Sequence, residues 1–206
     1  MNAMDAIFYI AILIMSVVIH EVSHGYIAEY FGDKTARFAG RLTLNPIKHL
    51  DLFGSILLPA ILVLSGSQFL VGWAKPVPYN PDNLRYRKWG TIAVASAGAL
   101  ANFAVALFFG LILRFSLGMN VPAGFYHIVA LIVLVNLSLG IFNLVPIPPL
   151  DGSKILFNLL PTSLAKVISF LETYSLIFVI IFIMYFTNYL YPIIVFLFHL
   201  ITSIYP

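Results

Sequence analysis

Cysteine is absent from this chain and charge is scarce: none of the 206 residues is Cys, and only 9% are Asp, Glu, Lys or Arg. The first absence excludes disulfides and thiolate metal sites, so any metal must be held by imidazole and carboxylate groups; the redox compartment stays open. The second excludes an ordinary soluble domain, which carries about 25% charged residues. No Lys or Arg precedes Lys34, so the N-terminus lacks the basic start of a secretory leader and reads as a first span. There is no internal repeat and no low-complexity tract. The net charge of +3 resides in loop residues and signals topology, not nucleic-acid binding.

What fills the chain is apolar: 61% hydrophobic, 15% aromatic, mean hydropathy +1.00. This is an all-α polytopic membrane protein, whose constant partner is the lipid bilayer. A first helix is expected over 7–31, ended by Gly32-Asp33. The alternation Arg37-Phe38-Ala39-Gly40-Arg41-Leu42-Thr43-Leu44 predicts a short strand, which Asn45-Pro46 ends. Residues 52–73 are apolar but broken by Gly54, Pro59, Gly66 and Gly72. Further helices are expected over 91–117, 125–144, 164–186 and 189–204, with a short one from 152 to 160. The organisation read from this is a core over 1–160 and a C-terminal transmembrane pair over 161–206. A short β or re-entrant element joins the first two of three core helices.

Inside the first apolar helix stands His20-Glu21-Val22-Ser23-His24. Residues four apart share a helix face, so two imidazoles can meet one metal ion, with Glu21 beside them as a proton acceptor. Ionisable groups at that depth are costly to bury, and by default they mark a functional site. A catalytic zinc takes three protein ligands. His49, His127 and His199 lie near helix ends, where such side chains commonly serve as anchors, and Glu29 lies off the metal face. Asp151, after the break Pro146-Ile147-Pro148-Pro149, is the better candidate; by spacing alone it serves equally well as the cap of the next short helix. Asn102 and Asn143 read, from the residues alone, as interhelical hydrogen-bond partners.

The loops 33–50 and 74–90 hold eight of the eleven Lys and Arg residues: Lys34, Arg37, Arg41, Lys48, Lys75, Arg85, Arg87 and Lys88. The positive-inside rule puts both in the cytoplasm, so 52–73 enters and leaves on one side as a hairpin. The N-terminus is then outside, and His24 and Asp151 both lie toward the cytoplasmic side.

Taken together, HExxH in an apolar helix, Gly98-Ala99-Leu100-Ala101-Asn102 and Asn143-Leu144-Val145-Pro146-Ile147-Pro148-Pro149-Leu150-Asp151-Gly152 resemble the site-2 protease family of intramembrane zinc metalloproteases. Gly72-Trp73-Ala74-Lys75-Pro76-Val77-Pro78 is similar to its small bacterial members, which implies a bacterial cytoplasmic membrane. The resemblance covers roughly 7–160. It implies one catalytic Zn2+ on His20, His24 and Asp151, with Glu21 as general base and acid. It places Asn143 and Asn102 where substrate backbone or oxyanion is held. The implied reaction is hydrolysis of peptide bonds in or near transmembrane segments of a protein substrate, that is, regulated intramembrane proteolysis. An unwound substrate would pair with the 37–44 strand or the 52–73 hairpin. No PDZ or CBS domain is visible, and oligomeric state is open. The competing reading is a membrane metal transporter using the same His/Asp site, which leaves Glu21 without a task.

Overall fold

The computed structural model describes residues 3–51, 54, 57, 61 and 74–206. The first span, α1 (Ala3–Tyr30), is 28 residues long, more than the about 20 a bilayer needs. It is followed by a single helical turn, α2 (Thr35–Phe38), and a 3-10 turn at Pro46–His49. A second 3-10 turn, Pro81–Asn83, leads into α3 (Arg87–Phe115). Then come α4 (Ala123–Asn143) and the short α5 (Asp151–Leu159). Among the described residues, α1, α3 and α4 are long and apolar enough to cross a membrane.

These three pack together with α3 at the centre, in contact with α1, α4, α5 and the last helix. Its buried face, Thr91, Val94, Ala95, Gly98, Asn102, Ala106, Gly110 and Leu113, repeats at helical spacing and is mostly small. Lipid offers apolar side chains as good a solvent as protein does, so close backbone approach and polar contacts hold such helices together. At one end of the bundle Ala106, Leu113, Val129, Val133, Leu137 and Phe198 pack together. At the other, Ala28, Leu84 and Val94 join the end of α1 to the start of α3. Large exposed side chains such as Leu100, Phe108 and Phe115 face outward, as lipid-facing positions should.

Two expectations need correction. Residues 37–44 form no strand. Asp33 accepts the Thr35 N–H at 3.2 Å and its hydroxyl at 2.5 Å, Phe38 and Ala39 bond back to Lys34 and Thr35, and Gly40 reverses the chain at φ 64°. Local turn chemistry overrides the alternation, and no strand is left there for a substrate to join. The C-terminal pair also differs. The segment expected over 164–186 is two helices, α6 (Ala165–Thr173) and α7 (Ser175–Tyr185), bent by 71°. The polar run Glu172-Thr173-Tyr174-Ser175 sits at the bend, and Thr173 bonds back to the Ser169 carbonyl at 2.8 Å, a contact that favours bending. The last helix, α8 (Thr187–Thr202), has 16 residues, short of a full span. The hairpin expected over 52–73 lies outside the described residues apart from 54, 57 and 61.

Candidate metal centre

One face of α1 carries His20 and His24, both buried, with ring centroids 4.7 Å apart and planes at 84°. Asp151, the first residue of α5, meets them there. Its Oδ2 lies 3.0 Å from His20 Nε2 and 3.1 Å from His24 Nε2. The far side of each ring is tied down as well. His24 Nδ1 donates to the Val94 carbonyl at 2.6 Å, and His20 Nδ1 lies 2.7 Å from Asn102 Oδ1. A carbonyl can only accept, so Nδ1 of His24 carries a proton, and the neutral ring presents its lone pair at Nε2. Two imidazole nitrogens and one carboxylate oxygen lie within 4.8 Å of one another. That donor set, nitrogen and oxygen without sulfur, fits a catalytic zinc.

Two glycines make the arrangement possible. A Cβ on Gly98 would overlap the His20 ring, and one on Gly152 would overlap the Leu144 carbonyl. Gly98 and Asn102, one turn apart on α3, thus give His20 its space and its hydrogen bond. Gly152 lets α5 start against the Pro-rich break, which places Asp151.

The remaining oxygen of Asp151, Oδ1, lies 3.2 Å from Lys154 Nζ. Beside the three donors is a cavity of about 60 Å³ lined by Glu21, His24, Val77, Tyr79, Asp151 and Lys154, among others. Glu21 Oε2 accepts the Val77 N–H at 2.8 Å. In Pro76-Val77-Pro78 only the middle residue has an N–H to give, and it goes to this carboxylate.

The strap carrying Val77 is fastened from the 33–50 loop. Arg41 Nη2 donates to the Lys75 carbonyl at 2.6 Å and the Pro76 carbonyl at 3.3 Å. The Lys75 N–H goes to the His49 carbonyl at 2.9 Å. Asp33 takes the Asn80 N–H at 2.7 Å and the Asn83 amide at 2.9 Å.

Of the remaining residues singled out from the sequence, Asn102 touches the site from behind. It is fully buried on the opposite edge of the His20 ring from Asp151. Asn143 bonds back to the Leu139 carbonyl at 3.0 Å. His49 is buried against the Thr43 carbonyl at 2.8 Å, Glu29 pairs with Arg37, and His199 stacks on Tyr205 at 4.2 Å. His127 stands in the first turns of α4. Sequence reasoning overlooked Arg41, Val77 and Lys154. The only hint was the Pro-X-Pro pattern at 76–78, which leaves one donor to be placed.

Comparison with known proteins points the same way. The model of Peptidase family M50 matches residues 8–125 and 110–187. A Bacillus subtilis protein named "Putative zinc metalloprotease YwhC" is 38% identical over 83% of this chain and 78% of its own length. The Mycolicibacterium smegmatis protein named "Putative zinc metalloprotease Rip2" is 31% identical over 71% of this chain and 54% of its own length. "Zinc metalloprotease MJ0392" of Methanocaldococcus jannaschii is 27% identical over 70% of this chain and 32% of its own length. No solved structure matches.

Proposed function

Because this chain belongs to peptidase family M50, we propose that it is an endopeptidase cutting peptide bonds in or near transmembrane segments of other proteins, in regulated intramembrane proteolysis. It is a zinc metalloprotease and an integral membrane protein. The observation that carries the finer reading is the depth of the site: His20 and His24 belong to a helix long enough to span a bilayer. Substrate would have to reach them within or at the edge of the membrane. The catalytic core is residues 1–160, with 161–206 as an appended apolar segment. The N-terminus is outside and the site faces the cytoplasmic side, as the basic loops 33–50 and 74–90 argue.

His20, His24 and Asp151 are the residues that hold the metal. When bound, zinc supplies Lewis acidity toward a carbonyl and a water of pKa about 7. Glu21 accepts the proton of the attacking water and returns it to the departing amine. Asn143, freed from the Leu139 carbonyl, donates its amide to the developing oxyanion. The substrate must present an unwound backbone, since an intact helix keeps its carbonyls bonded.

The test is cleavage of a single-span substrate by purified protein in proteoliposomes. Glu21→Gln should retain zinc and lose cleavage; turnover surviving in that variant would sink the assignment. Zinc flux without cleavage would favour a transporter.

A further inference from the structure

Behind the metal-facing side of His20 lies a fully buried polar chain that ordinary packing does not require. Asn102 (0% exposed) and Asn136 (1%) stand on α3 and α4, and Ser16 lies one turn before His20 on α1. Asn102 Nδ2 donates to the Ser16 carbonyl at 3.2 Å and to Asn136 Oδ1 at 2.8 Å. Asn136 Nδ2 donates to the Ile132 carbonyl and to Ser16 Oγ, both at 2.9 Å. Asn102 Oδ1 faces His20 Nδ1.

The direction of every bond in this chain is forced from its ends. Main-chain carbonyls only accept, so the Ile132 carbonyl requires the amide nitrogen of Asn136 and turns its oxygen toward Asn102. That oxygen and the Ser16 carbonyl require both N–H groups of Asn102, which turns its oxygen toward His20. An oxygen there accepts only from a protonated Nδ1. In the neutral ring His20 Nε2 is thereby left with its lone pair aimed at the Asp151 side, the form a metal binds.

We infer that Asn136, acting through Asn102, is a positioning residue that sets the tautomer and ring direction of His20 for metal binding. This rests on the proposed reading of His20 as a ligand. It separates Asn102 from substrate contact and gives a task to Asn136 and Ser16. Residues 102 and 136 face a closed interior, so their removal acts on the metal and not on substrate recognition.

The experiment is zinc affinity of the full chain in detergent, by competition with a chromophoric chelator. The proteins are wild type, Asn102→Leu, Asn136→Leu and, as a packing control, Leu137→Ala. Loss of an outer-shell partner commonly weakens metal binding about 10–100-fold. Asn102→Leu should fall in that range, Asn136→Leu at its lower end, and Leu137→Ala should bind as wild type despite lower thermal stability. Asn136→Leu binding within about twofold of wild type overturns the relay. Should the variants not fold, 15N spectra of histidine-labelled, metal-free wild type decide the matter: a proton on Nδ1 of His20 supports the relay, and a bare Nδ1 with the proton on Nε2 overturns it. Wild type that binds no zinc at all would instead overturn the metal site on which the relay rests.

Discussion

The backbone N–H of Val77 is donated to Oε2 of Glu21 at 2.8 Å, joining residues 56 positions apart in the chain. The proposed base is therefore held from the strap, not from its own helix. Val77→Pro deletes that donor and keeps the extended backbone already imposed by Pro78. Small misplacements of a catalytic group cost on the order of 100-fold, so kcat should fall at least tenfold with zinc content unchanged. Val77→Ala retains the N–H and should stay within a few-fold of wild type. Equal kcat in Val77→Pro and wild type would show that the strap does not hold Glu21.

Arg41 is 7% exposed, and its Nη2 donates to the Lys75 and Pro76 carbonyls. Both contacts come from Nη2, at the far end of the side chain, and lysine, a point charge on a shorter stem, falls short of that position. Arg41→Lys should leave zinc stoichiometry intact while loosening the strap. The readout is faster proteolytic nicking within 74–80 and lower turnover, the two changing together. Nicking without loss of turnover would detach the strap from catalysis.

Much of the fold and the site is legible in the residues alone, and the reasons are physical. Three long apolar helices and a buried HExxH declare themselves because lipid admits few charges and histidines four apart must share a face. Asp151 could not be settled from spacing, since the same residue begins α5 and lies against both histidines. The strand over 37–44 failed because alternation is a burial signal, and Asp33 with Gly40 bends those residues before a partner strand can pair. Val77 and Arg41 were missed for another reason: Val77 acts through its backbone N–H, and the partners of Arg41 are the Lys75 and Pro76 carbonyls, groups that carry no residue-type signature.

Asp33 is fully buried and accepts from Thr35, Asn83 and the Asn80 N–H. Burial raises its pKa, but these donors lower it further, so the folded value lies below the usual one. The sign follows: its contribution is present above the unfolded value of about 3.9 and is lost as pH falls through the folded value. Hydrogen exchange at Asn80, Asn83 and Leu84 should therefore quicken on acidification below about pH 4. Asp33→Asn should flatten that limb and cost about 1–3 kcal/mol at neutral pH. An unchanged acid limb would assign it to other groups.

Zinc stoichiometry tests the ligand set directly. Wild type should carry about one zinc per chain, removable by a chelator with loss of cleavage and restored by added zinc. Asp151→Ala should bind clearly less, since two imidazoles alone leave the site a ligand short. Stoichiometric zinc in Asp151→Ala would return Asp151 to the start of α5 and reopen the third position.

Gly98→Ala sets helix propensity against the site. In the interior of a helix, alanine is favoured over glycine by about 1 kcal/mol, so by propensity alone α3 should gain. The added methyl would nevertheless overlap the His20 ring, and the neighbouring backbones of α1 and α3 are closely packed. The ring must turn, giving up Asn102 on one edge or Asp151 on the other. The expected result is a protein that unfolds no earlier than wild type in a detergent melt, yet binds zinc at least tenfold more weakly and cleaves correspondingly less. A Gly98→Ala protein with wild-type zinc affinity would mean that α1 and α3 can separate to admit the methyl, and that His20 is held by Asn102 and Asp151 rather than by the space α3 leaves it.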